Sequence, residues 1–264
     1  MSQGINSRIK KVTSLLKPAG DIFMRWLDED NLGIEEKEKN DFVTLADKEI
    51  EQFLSREIMA KFPLDSIIRE EFEDVQGSSE YKWIIDPIDG SNNYTRKILD
   101  ARIIIALIQG SKLVYGVIYN PILSETYSAE LGNSAVRTNL LNGKTIKLKV
   151  SNRELSQSLI IYTAGLAKGD KQSLKILGNI VGKIGALRLY GSAAVAFELI
   201  ASGRADSFIC NIAKPMDMAA GYLIIREAGG RVLNFSGSDW SLYDRDILVT
   251  NKENEKELLQ IVNV

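Results

Sequence analysis

Trp83-Ile84-Ile85-Asp86-Pro87-Ile88-Asp89-Gly90-Ser91-Asn92-Asn93-Tyr94 is the stretch on which the reading of this chain turns. An apolar run of strand character ends in Asp86, Pro87 fixes the backbone, and Asp89 follows three residues after the first aspartate. Gly90-Ser91 then opens a short helix. Two carboxylates this close at a strand end can hold two divalent cations, one carboxylate bridging them. A glycine beside a helix start leaves backbone N–H groups free for an anion such as phosphate. D-x-x-D is a common pattern, however, and a strand-to-turn junction capped by its own aspartates explains it without a ligand.

Three other acidic positions bear on that choice. Arg69-Glu70-Glu71 ends an earlier predicted strand, Asp47 follows Asp41-Phe42-Val43-Thr44, and Lys214-Pro215-Met216-Asp217 stands at a helix start. Each has a plain alternative: a solvated strand end, a capping residue, and a helix N-terminal carboxylate favoured by the dipole.

Farther out, the text divides into two halves, 1–150 and 151–264. Apolar positions at helical spacing predict a helix over 6–28, with Pro18 expected to kink or split it. The charged stretch 35–41 reads as mobile. Thr44-x-x-Asp47 reads as a capping box opening a second helix, whose stripe is Ile50, Phe53, Leu54 and Ile58. Strands follow at 66–69, 81–85, 101–108, 112–119, 125–129 and 145–150, with Gly110-Ser111 and Asn142-Gly143 as hairpin turns. This half reads as antiparallel, covered by the two early helices. Beyond residue 150, strands at 159–163, 186–190 and 205–210 alternate with helices at 171–181, 193–201 and 218–228. Strands near 231–234 and 247–250 and a helix from Asn251 complete an α/β half with a mixed sheet.

Composition removes whole classes of chemistry. The chain has 264 residues, no histidine and one cysteine, Cys210. No Ser-His-Asp or Cys-His site can be built, and no zinc site of His and Cys ligands is available. Catalysis near neutral pH falls to carboxylates, hydroxyls, lysines or water activated by a metal. A net charge of −2 argues against a nucleic-acid partner. No apolar run approaches the ~18 residues of a membrane span, and no signal peptide opens the chain, so a cytoplasmic protein without a membrane partner is expected.

Taken together, these motifs resemble the inositol monophosphatase superfamily of Mg²⁺-dependent, Li⁺-sensitive phosphatases, the archaeal-type inositol monophosphatase/fructose-1,6-bisphosphatases most of all. The family string W-I-D-P-I-D-G-T-x-N-F corresponds to Trp83–Tyr94, G-E-E to Arg69-Glu70-Glu71, and D-x-V-T-x-x-D to Asp41–Asp47. G-S-A-A corresponds to Gly191–Ala194, and W-D-x-A-A-G…E-A-G-G to Met216–Gly230. The resemblance implies a layered αβαβα sandwich, two to three Mg²⁺ ions, a small phosphorylated substrate and a homodimer. It makes Glu70, Asp86 and the Ile88 carbonyl ligands of one Mg²⁺, and Asp86, Asp89 and Asp217 ligands of a second. Glu70 would help hold a third ion, while Asp47 and Ser91 would orient the attacking water. The amides of Gly90, Ser91 and Asn92 would cradle phosphate, and Gly191, Ser192 and Ala193 would touch the sugar or cyclitol ring.

Departures shape the expected specificity. Arg69, Ser91 and Met216 replace the family glycine, threonine and tryptophan, and serine keeps the hydroxyl. Cys210 stands where animal enzymes of the family carry an acidic contact to inositol, so strict inositol specificity is not expected. As a reactive group Cys210 reads as an inert buried thiol. The resemblance to the archaeal-type enzymes implies that Lys214 contacts a second phosphate, the alternative being a solvated loop lysine. The expected reaction is hydrolysis of inositol 1-phosphate or fructose 1,6-bisphosphate. A 3′(2′),5′-bisphosphate nucleotidase, an NADP phosphatase and a protein-binding regulator of transcription are the alternatives.

Overall fold

The N-terminal apolar stripe builds one helix, α1 (Gln3–Leu27), which continues unbroken past Pro18. The structure, a computed structural model, describes residues 3–38, 41–163 and 170–263. The expected split at Pro18 does not occur. Leu15, Leu16, Ala19 and Phe23 are buried against a sheet, and that burial outweighs the roughly 3 kcal/mol cost of an interior proline.

The stretch read as mobile instead forms a ribbon, β1 (Glu35–Glu38) paired antiparallel with β2 (Asp41–Val43); residues 39–40 lie outside the described residues. Ladder hydrogen bonds and two ion pairs, Lys37–Glu71 and Lys48–Glu35, hold this charged segment in place. Helix α2 (Leu45–Lys61) starts as expected, with Thr44 and Asp47 in a reciprocal capping box.

The first sheet has seven strands in the order β3 (Ser66–Ile68), β4 (Tyr81–Asp89), β5 (Arg102–Gln109), β6 (Lys112–Asn120), β7 (Glu125–Glu130), β8 (Val136–Asn139) and β9 (Thr145–Lys147). Gly110-Ser111 makes the expected two-residue turn, since Gln109 pairs with Lys112. Two corrections apply. β3 runs parallel to β4, so this half is not wholly antiparallel. The long connection between them, in which Val75 bridges back to Ile67, permits that orientation, and nothing in strand composition distinguishes it. β8 is also an additional strand: its four residues are all half-buried and lack an apolar alternation.

A short helix α3 (Ser91–Tyr94) follows β4. The second sheet has the order β11 (Ala186–Arg188), β10 (Leu159–Thr163), β12 (Ser207–Cys210), β14 (Ile247–Thr250), β13 (Arg231–Leu233). Its β10–β11 and β10–β12 pairs are parallel and the rest antiparallel, the mixed sheet that the alternating rhythm predicts. Helices α4 (Lys171–Ile180), α5 (Ala193–Ala201), α6 (Pro215–Glu227) and α7 (Glu255–Val262) complete this half.

Three apolar clusters stack these elements into five layers. Val12, Leu16, Ile50 and Leu54 of α1 and α2 pack on Trp83, Ile85, Ile103 and Ile105 of the first sheet. The opposite face of that sheet, with Ile84, Ile104 and Ala106, packs on α5 and α6, which in turn cover Ile161, Phe208 and Val249 of the second sheet. α4 and α7 close the outer face through Ile176, Ile180, Leu258 and Ile261. The order is helices, sheet, helices, sheet, helices. Gly116 shows how close the central layers come: a Cβ there would lie 2.8 Å from the Ala220 Cα. Among the described residues, no helix is long and apolar enough to cross a membrane.

Candidate active site

In a regular strand, residues three apart face opposite sides, so Asp86 and Asp89 would diverge. They converge because β4 carries a bulge. Asp86 is opposite Ile104 and Asp89 is opposite Arg102, three steps on one strand against two on its partner. Pro87, which cannot donate to the ladder, sits inside this irregularity. Asp217 arrives from the other half, in the first turn of α6, with Pro215 starting the helix. One carboxylate oxygen from each of Asp86, Asp89 and Asp217 lies within 4.8 Å of the others.

The three carboxylates are held differently. Asp89 accepts from Ser192 Oγ, from the Ala194 amide at 2.8 Å and from the Ala193 amide at 3.3 Å, all at the start of α5. Burial raises its pKa and these donors counter the rise. Asp86 is 1% exposed, and its Oδ1 has no hydrogen-bond partner among the described residues. Burial, then the charges of Glu70, Asp89 and Asp217, push its carboxyl well above the usual range. Burial also pushes Asp217 well up, followed by Asp89 and Glu70. Three crowded carboxyls with one oxygen orphaned form a site that a cation would relieve. The all-oxygen donor set suits a hard ion such as Mg²⁺.

Glu70 approaches from the turn after β3, with its Oε1 3.7 Å from Lys214 Nζ. Glu51, fully buried on α2, sets that turn: its carboxylate accepts from the amides of Glu70 at 2.6 Å, Glu71 at 3.1 Å and Phe72 at 3.0 Å. Burial lifts Glu51 to about 7 against the pull of these amides. Asp47 lies one turn earlier on α2. Its Oδ2 accepts from the Thr44 amide at 2.8 Å and the Thr44 hydroxyl at 2.5 Å. Its Oδ1 lies 3.5 Å from Ser91 Oγ, which also donates to the Ile88 carbonyl at 3.0 Å. Burial lifts Asp47 to about 7, opposed by the Thr44 bonds.

Gly90 caps α3 in the left-handed region at φ 92°, and a Cβ there would meet the Asp100 carbonyl at 2.7 Å. Ser91 and Asn92 are half-buried beside it. Asn93 ties the loops together, donating through Nδ2 to the Asp100 carbonyl at 2.8 Å and the Tyr190 carbonyl at 2.7 Å. That bond leads directly to Gly191, which is exposed.

The structure therefore gathers Asp47, Glu70, Asp86, Ile88, Asp89, Gly90, Ser91 and Asp217 around one centre. Ser192 and Ala193 are 2% and 4% exposed, and through Ser192 Oγ and the Ala193 amide they hold Asp89 at the start of α5. Cys210 is 1% exposed within the central core, and burial pushes its thiol up to about 12, so it offers a substrate no surface. Lys214 is exposed at the rim. Sequence reading missed Glu51 and Asn93. A signal for Glu51 existed, since it stands four residues after Asp47 beside the apolar stripe, where a carboxylate has to find buried donors.

Comparison with known proteins places this arrangement. Residues 6–263 match the inositol monophosphatase family. The fructose-1,6-bisphosphatase/inositol-1-monophosphatase of Aquifex aeolicus is 32% identical over 232 residues, covering 86% of this chain and 84% of that protein. Nus factor SuhB of Pseudomonas aeruginosa is 30% identical over 256 residues, covering 93% and 92%. The crystal structure of extragenic suppressor protein suhB from Bartonella henselae superposes with a TM-score of 0.90 at 29% identity, covering 97% of this chain and 98% of that one.

Proposed function

This chain belongs to the inositol monophosphatase family, a family of metal-dependent phosphoric monoester hydrolases, and we propose that it hydrolyses inositol 1-phosphate and fructose 1,6-bisphosphate. In this reading Glu70, Asp86, the Ile88 carbonyl, Asp89 and Asp217 hold two to three Mg²⁺ ions. The observation that carries it is the orphaned Asp86 Oδ1. A buried carboxylate oxygen without a donor, crowded by two more carboxylates, costs several kcal/mol unless a cation sits against it.

When bound, Mg²⁺ supplies charge to neutralise the phosphoryl oxygens and to acidify the attacking water. The chain's own residues do the rest. Thr44 occupies Asp47 Oδ2 with two hydrogen bonds, leaving Oδ1 to receive a proton from water aligned by Ser91. A carboxyl near 7 suits proton transfer at neutral pH, and no imidazole is needed. Gly90 lets the Ser91 and Asn92 amides approach the transferred phosphoryl group, and phosphate and the free alcohol are the products.

One feature favours a broad sugar-phosphate specificity over strict inositol recognition: Lys214 at the rim suits a second phosphate. The dual name of the Aquifex aeolicus relative agrees with this. A homodimer is proposed on the family resemblance alone. A role in transcription, suggested by the Pseudomonas aeruginosa relative's name, has no observation of this chain in its favour and would leave the carboxylate centre unused.

Phosphate release with and without Mg²⁺ tests the reading on inositol 1-phosphate, fructose 1,6-bisphosphate and adenosine 3′,5′-bisphosphate. Mg²⁺-dependent turnover of the first two is expected. Turnover of the nucleotide alone would overturn the substrate assignment, and Mg²⁺-independent turnover would overturn the metal site.

A further inference from the structure

Arg102 and Glu198 form an ion pair, Nε to Oε1 at 2.8 Å, with the residues 6% and 2% exposed. Arg102 opens β5 and stands directly across the ladder from Asp89, just beyond the β4 bulge. Glu198 lies on α5, whose first turn grips Asp89 through Ser192 Oγ and the Ala193 and Ala194 amides. Arg102 Nη1 also donates to the Leu99 carbonyl at 3.0 Å and the Ala101 carbonyl at 2.8 Å. Asp100, between them, accepts from Asn93 and lies against Gly90. The contacts close a ring from Asp89 to the start of α5, along α5 to Glu198, across to Arg102, and back through the ladder to Asp89.

The packing of α5 explains why such a ring matters. Phe197 anchors the middle of α5, edge-on to Phe208 and against Gly221 of α6, while the first turn that reaches Asp89 is built from Ala193, Ala194 and Ala196, whose short side chains leave its fine orientation to directional contacts. An arginine bonded at both Nε and Nη1 has one orientation, so the pair specifies where α5 sits. Stability is a poor reason for keeping such a pair, because an apolar pair of similar volume usually serves the core as well.

We propose that Arg102–Glu198 is a positioning pair: it fixes the angle at which the start of α5 meets Asp89 and thereby sets the affinity of the site for Mg²⁺. The inference rests on the reading of Asp89 as a cation ligand. The test uses the full chain and Mg²⁺ alone, titrated by calorimetry without substrate, alongside thermal unfolding in EDTA. The double variant Arg102→Met/Glu198→Leu removes both charges at similar volume. It is expected to keep its unfolding temperature within a few degrees but to bind Mg²⁺ about 10-fold more weakly, the low end of what supporting groups around a metal contribute. Half-saturating Mg²⁺ for phosphate release rises by the same factor, while kcat at saturating Mg²⁺ changes less than about threefold. A folded double variant with unchanged Mg²⁺ affinity overturns the inference. Should that variant not fold, Arg102→Lys, which keeps the charge but cannot bond at two fixed points, decides: weaker Mg²⁺ binding supports positioning and unchanged binding overturns it. Asp89→Asn separates the two levels. If the unaltered protein binds no Mg²⁺, or Asp89→Asn binds it equally well, the assignment of Asp89 as a ligand fails and the positioning role fails with it. If Asp89→Asn loses binding and the pair variants do not, only the positioning role fails.

Discussion

The two sheets meet the candidate site with different materials. The seven-stranded half brings charge: Asp47, Glu70, Asp86 and Asp89, with Asp86 Oδ1 left without a donor. The five-stranded half brings Asp217 and a set of directional donors, Ser192 Oγ and the Ala193 and Ala194 amides, all spent on Asp89. One half poses an electrostatic problem and the other answers it for a single carboxylate. The difference teaches that two aspartates written three residues apart are not equivalents: Asp89 is oriented by donors from α5, whereas Asp86 Oδ1 has no partner among the described residues, which is why the proposed cation is assigned to it.

The most damaging change should be Asp217→Asn, which removes the carboxylate that the second half contributes. kcat/KM should fall about 10³-fold or more, as expected when several kcal/mol of cation-mediated stabilisation are lost. Equal activity would break the idea that the halves share one centre. Next is the contrast in stability. In EDTA, Asp86→Asn relieves an uncompensated buried charge, so its unfolding temperature should rise by about 2–4 °C for each kcal/mol relieved. Asp89→Asn, which gives up satisfied hydrogen bonds, should not rise. Equal shifts would show the two aspartates to be interchangeable.

The pH dependence follows from Asp47 and Glu51, both lifted by burial to about 7 from ordinary values of 3.8 and 4.5. A raised carboxyl keeps more protons in the folded than in the unfolded state. Its stabilising contribution is complete below the unfolded value and disappears as pH rises through about 7. Metal-free protein should therefore unfold at a higher temperature at pH 5 than at pH 8, and saturating Mg²⁺ should flatten that slope. A smaller effect is expected at the donors. Ser192→Ala removes a helix cap worth about 1 kcal/mol and should weaken Mg²⁺ binding about 10-fold, measured by half-saturation of phosphate release. The smallest is Ser91→Thr. A stiffer rotamer should change kcat by no more than about twofold.

Much of this could be read before folding. The capping box at Thr44 and Asp47 and the Gly110-Ser111 turn follow from local chemistry, which survives in sequence because its partners are a few residues apart, and the mixed second sheet follows from the alternation of strand and helix patterns. The opposite holds for what was missed. The parallel pairing of β3, the course of α1 through Pro18, and the hold of Ser192 and Ala193 on Asp89 depend on neighbours distant in sequence. Glu51 and the Arg102–Glu198 pair lie in between. Each is a charged residue in an apolar context, so the sequence announces that a partner is required without saying which one.

The sequence alone settled the chemistry available. Without histidine, catalysis is left to carboxylates, hydroxyls, lysines or metal-activated water, and the resemblance of five motifs to the inositol monophosphatase family, not residue types, implied a metal-dependent phosphatase. Tertiary structure decided the division of labour among those carboxylates. Whether an aspartate is satisfied or orphaned depends on which helix end or hydroxyl reaches it. Here those groups come from residues about a hundred positions away, brought in by the packing of α5 and α6 between the two sheets.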